Sequence, residues 1–130
     1  MDSDKTGNRT MNKIFDAAIA LEQAGGSEEL ARDLFSMLLD ELAEHRQAIE
    51  AALKQVNSQS GLEPLWDPVH KLHGAIVYLG LPALRQALKA FEDQIKQDNR
   101  DQLSKSFRQL DSEINRLQES GRAILARSWY

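Results

Sequence analysis

The stretch SEELARDLFSMLLDELAEHRQAIEAALKQVNSQSG, Ser27 to Gly61, decides the fold. Ser27 has the side chain of an N-cap, and Glu28 and Glu29 follow where carboxylates suit the positive end of a helix dipole. Leu30, Leu34, Leu38, Leu42, Ile49, Leu53 and Val56 then recur at steps of three, four or seven residues. That spacing predicts one long helix with a single apolar stripe, which NSQSG (57–61) brings to an end. A helix of this length with one apolar face needs partners to cover that face.

The rest of the chain supplies them. Upstream, Ile14, Ala17, Ala18 and Leu21 predict a short leading helix from about Met11 to Ala24, stopped by Gly25 and Gly26. Downstream, Leu65, Val69, Leu72, Ile76 and Leu79 predict a helix that Gly80 terminates. Pro82 suits the first turn of the next helix, with Leu84, Leu88, Phe91 and Ile95 on its stripe and KQDNRD (96–101) after it. Leu103, Phe107, Leu110, Ile114, Leu117 and Ile124 mark the last one. No segment alternates with a strand period. The expected fold is therefore all-α, an antiparallel four-helix bundle with an additional short N-terminal helix. Residues 1–10, polar and without periodicity, read as a flexible tail, and 11–130 as one domain.

Composition narrows the function. The 130 residues are 42% hydrophobic and 28% charged, ordinary proportions for a soluble domain. No apolar run approaches the roughly 20 residues that span a bilayer, so a cytoplasmic location is expected, with no membrane contact by this domain. A net charge of −4 argues against nucleic acid as a partner. The absence of cysteine removes thiolate chemistry and Cys-ligated zinc.

Chemistry then centres on HKLHGAIVYLG, His70 to Gly80. With the core face between Leu72 and Ile76, His70 projects about 140° away and Gly74 about 180° away. An exposed histidine thus stands mid-helix, one turn before a residue without a side chain. Gly there costs about 1 kcal/mol relative to Ala. The cost is explained if another molecule must approach the imidazole closely, and neutral drift is the plain alternative. Val77 continues the exposed strip. His70 and His73 could be half of a metal site, but no carboxylate or third histidine matches them on that face, so no metal is expected. His45 reads as a boundary residue, and Trp129 with Tyr130 as a packing or fraying end. Pro68 implies either a kink in a continuous helix or a fresh start capped by Asp67, which would put His70 in the first turn.

The sequence His70-Lys71-Leu72-His73-Gly74, then AIVYLG and LPALRQAL, resembles the signature of the histidine-containing phosphotransfer (HPt) domain. Together with AGGSEELARDLFSMLLDELAEHRQAIEAAL upstream, it is similar to the HPt domains that close tripartite hybrid sensor kinases of the BarA/GacS type. The resemblance runs from about residue 14 to 126. One departure is His73, which stands where the family usually has Lys, so that the positive charge there depends on pH or comes from Lys71. The family's usual continuous helix favours a kink at Pro68.

The resemblance implies that His70 takes a phosphoryl group from a receiver-domain aspartyl phosphate and passes it to a response regulator's aspartate. Lys71, His73, Gly74 and Val77 would form the receiver-docking surface. The domain would have no cofactor of its own, Mg²⁺ coming from the receiver, and would act as a monomeric phosphoryl carrier. With no Gly-rich phosphate loop, it is not expected to use ATP itself. The alternatives are a non-catalytic helical adaptor and a pseudo-phosphotransfer module that binds a receiver or kinase without accepting phosphate.

Overall fold

The computed structural model describes residues 13–56 and 59–130. The expected tail (1–10), the first residues of the leading helix and part of the NSQSG turn lie outside them. Five α-helices follow in order: α1 (Ala17–Gln23), α2 (Glu28–Gln55), α3 (Glu63–Ile76), α4 (Pro82–Lys96) and α5 (Leu103–Ala126), with a 3₁₀ turn at Arg100–Gln102 before the last. Among the described residues there is no strand.

Helices α2 to α5 form a closed ring in which α2 packs on α3 and α5, and α4 packs on α3 and α5, while α1 lies against α2. Short connections make successive helices antiparallel. The stripes of α3, α4 and α5 are buried as their spacing predicts, with Leu65, Val69, Leu72, Phe91, Leu110 and Ile114 fully enclosed. Arg46 of α2 and Asp111 of α5 add a forked ion pair across the bundle.

The start of α2 departs from expectation. Its buried set is Ala31, Phe35, Leu38, Leu42, Ile49 and Ala52, while Leu30 is exposed and Leu34 only half-buried. A strict step of four drifts about 40° per step against a 3.6-residue turn, so Leu30 stands about 120° from Leu42. Ser27 does cap the helix, its Oγ accepting from the Leu30 N–H at 3.1 Å.

The leading helix starts later than expected, at Ala17, because Asp16 caps it: Oδ1 accepts from the Ile19 N–H at 3.2 Å. The non-helical segment before it buries Phe15. That ring meets Phe35 and Trp129 at centroid distances of 5.2 and 4.7 Å. Trp129 is buried, donates its indole N–H to the Ile124 carbonyl at 2.9 Å, and carries the Arg32 guanidinium over its face. Trp129 is thus a packing end, and exposed Tyr130 reaches the Gly26 carbonyl at 3.0 Å.

The turn after α3 is pinned by α1. The Gly80 carbonyl accepts from the Asp16 N–H at 2.8 Å, and Gly80 sits at φ 68°. A Cβ there would meet the Asp16 carbonyl oxygen and come within 2.9 Å of the Ala20 nitrogen. The left-handed conformation costs a side chain about 1–2 kcal/mol before any clash with rigid backbone. Gly80→Ala is therefore expected to destabilise the domain by about 2 kcal/mol. A thermal melt matching wild type would contradict this account of the turn.

Candidate functional site

Helix α3 is one uninterrupted element from Glu63 to Ile76. Pro64 stands in its first turn and Pro68 inside it, buried. The fresh start at Asp67 is thereby overturned. Pro64 has already set the helical φ of the first turn, and the exposed Asp67 carboxylate pairs with Lys71 Nζ at 3.2 Å instead of capping. The helix continues through Pro68, and His70 lies beyond its first turn, away from the positive end of the dipole.

The register set by Leu65, Val69, Leu72 and Ile76 turns His70 and Gly74 outward. Both are exposed, and a Cβ built on Gly74 would find no atom within 4 Å. No packing inside the domain therefore demands glycine. Val77, at the end of the helix, is half-buried and continues the strip. It lines a shallow groove together with Ile19, Leu81, Pro82, Arg85 and Lys89.

Trp66, one turn before His70, packs its ring against the imidazole at 5.3 Å between centroids, tilted by 41°. The sequence reading passed over Trp66, although i−4 spacing on a helix was a sufficient signal. The contact gives His70 one supporting face and leaves the other side of the strip open.

Lys71 and His73 flank the strip on opposite sides, about 100° and 60° around the helix from His70. Lys71 faces α2, where it lines a hollow with Glu41, His45 and Ala48. His73 faces α4: its Nδ1 lies 3.2 Å from Glu92 Oε1. Glu92 is 9% exposed and stands among the apolar residues of α4, at i+4 from Leu88 and i−3 from Ile95. Helical spacing within α3 could not reveal this carboxylate, because it comes from α4. It does not complete a metal site, since no group of three or more His, Asp or Glu side chains among the described residues could hold an ion.

His45 is a boundary residue between α2 and α3. Burial pushes its pKa below the ordinary imidazole value, Glu41 and Glu44 oppose that shift, and Lys71 adds to it. The unfolded chain therefore binds this proton more readily than the folded one. The stabilisation from a neutral His45 is complete above about pH 6.5 and is lost as pH falls through the lowered folded value. His45→Gln is expected to reduce the drop in melting temperature between pH 7 and 5. An unchanged acid slope would contradict the assignment.

Comparison with known proteins places these features. The family model described as "Hpt domain" matches residues 33–120. The chain is 37% identical over 91 residues, 70% of its length, to the signal transduction histidine-protein kinase BarA of Escherichia coli K12. It is 38% identical over 99 residues, 76% of its length, to the sensor histidine kinase GacS of Pseudomonas protegens. It spans about a tenth of each of these relatives. No solved structure matches the chain. Among the described residues no helix is long and apolar enough to cross a membrane. The match covers α3 and α4 entirely and most of α2 and α5, with the exposed histidine and its open glycine inside it, and the chain belongs to the Hpt domain family.

Proposed function

We propose that this domain is a phosphoryl carrier in a two-component phosphorelay, with His70 as its acceptor and donor. The observation that carries the reading is the pairing of an exposed imidazole with an open glycine one turn later, on a helix whose opposite face is fully buried. An imidazole nitrogen of His70 attacks the phosphorus of a receiver's aspartyl phosphate. The N–P bond forms, the P–O bond breaks, and the carboxylate leaves with the electron pair. The reverse step loads the aspartate of a response regulator. Neutral imidazole is a competent nucleophile near pH 7.

Transfer of this kind depends on alignment and charge stabilisation. Mg²⁺ comes with the receiver. The domain contributes a fixed nucleophile and a surface to dock on: Gly74 admits the receiver's active site, Val77 and the groove beside it supply apolar contact, and Lys71 and His73 flank the phosphoryl group. Its relatives are named as histidine kinases and the chain spans about a tenth of each, which supports a place within a larger sensor kinase.

The test is to offer the domain a panel of phosphorylated receivers with Mg²⁺ and follow the label. Rapid acquisition from at least one receiver, and its delivery to a second, supports the carrier. A domain that binds receivers but stays unlabelled would be an adaptor or pseudo-phosphotransfer module.

A further inference from the structure

Burying a carboxylate costs free energy unless a partner compensates, and an apolar residue of similar volume would fill the position of Glu92 at least as well for stability. Among the described residues the side-chain partner of Glu92 is His73, whose own side chain is 45% exposed. The buried acid is therefore spent on an imidazole at the surface, three residues from His70. Side chains at i and i+3 on a helix are neighbours, with about 5–6 Å between Cβ atoms.

With the carboxylate accepting from Nδ1–H, the tautomer of His73 is fixed and Nε2 is its remaining nitrogen. A ring with a proton on each nitrogen can donate Nε2–H to a phosphoryl oxygen. The neutral ring, its proton held on Nδ1 by Glu92, offers only a lone pair, which a phosphoryl oxygen cannot use.

We propose that Glu92 is a positioning residue for phosphotransfer: it holds His73 by Nδ1 so that Nε2–H, when protonated, serves as the cationic donor to the phosphoryl group at His70. The proposal rests on the phosphotransfer reading above. It makes transfer pH-dependent through a side chain other than the acceptor. Among the described residues, the charged side chains of the two helices nearest in sequence to this pair are, on α4, Lys89, which is paired with Asp93 at 3.3 Å, and, on α3, His70 and the Lys71–Asp67 pair. Glu41, Glu44 and His45 of α2 face Lys71 on the other flank.

The experiment measures transfer from one phosphorylated receiver to the domain between pH 5.5 and 8.5, for wild type, His73→Lys, His73→Gln and Glu92→Gln. Any effect of pH on the receiver or on the acceptor step is common to all four, so rates are read as ratios. Relative to His73→Lys, whose cation persists across this range, wild type should fall as pH rises. His73→Gln should be slower than His73→Lys at every pH, on the order of 10-fold for one charge-assisted hydrogen bond. Glu92→Gln, which leaves the ring without its carboxylate acceptor, should be slower than wild type at the acid end of the range. Melting temperatures establish that each variant is folded. If folded His73→Gln and Glu92→Gln match the wild-type rate and profile, the pair is only a staple between α3 and α4 and the proposal is overturned. If wild type takes no label at any pH, the phosphotransfer reading fails and this proposal with it.

Discussion

His70→Gln is expected to abolish labelling by every phosphorylated receiver that labels the wild type, with helix content unchanged. Glutamine is neutral and polar, but its amide nitrogen is not a nucleophile, so the substitution removes the acceptor atom itself. The structural cost is small because the side chain is exposed and its one described ring neighbour is Trp66. Surface substitutions of this kind usually stay within about 0.5 kcal/mol. Label incorporation and far-UV circular dichroism on the same sample separate the two effects. Label retained in the variant, or appearing on His73 at a comparable rate, would sink the assignment of His70 as sole acceptor.

Position 74 gives the second large effect, and there stability and transfer should part company. A methyl group on Gly74 meets nothing in the domain, so Gly74→Ala should preserve or raise stability, by up to about 1 kcal/mol from helix propensity. Gly74→Gln should also fold, yet its side chain would occupy the approach to His70 and hold the aspartyl phosphate away. Misplacement of about 1 Å can cost on the order of 100-fold in rate. Melting temperature and transfer rate are to be compared for both variants. Wild-type transfer by both would leave the glycine without a role in approach, and unfolding of both would mean that α3 presents a different face.

Most of the bundle was legible because each stripe repeats at a helical period and each break carries a turn residue. Leu65, Val69, Leu72 and Ile76 fixed the rotation of α3, and His70 and Gly74 followed outward from them. At the start of α2 Leu30 and Leu34 mislead, since leucine at i+4 persists on the sequence after it has rotated off the core that Leu38 and Leu42 fill, whereas Phe35 takes the buried place. The aromatic cluster of Phe15, Phe35 and Trp129 was beyond reach for a different reason. Its members are brought together by the docking of two non-helical segments, around Phe15 and Trp129, onto α2, and such segments leave no periodic trace. Glu92 reads as an ordinary charge until α4 is set beside α3 and His73 is found 3.2 Å away. At Pro68 local rules allowed two helices, and Pro64 at the true start decided for one.

His70 stands on the outside of a helix, and the open side of Gly74 leads straight to solvent. Enzymes that hold reactive intermediates in closed clefts protect them by excluding water. An exposed site has no such shelter: under the proposed function, a phosphoryl group on His70 would be bathed in bulk water once the receiver departs. Persistence of the signal between donor and recipient would then be governed by the hydrolytic lifetime of the phosphorus–nitrogen bond. The domain would hold its message on a chemical timer, and the relay would stay faithful only while the next partner arrives before that timer runs out.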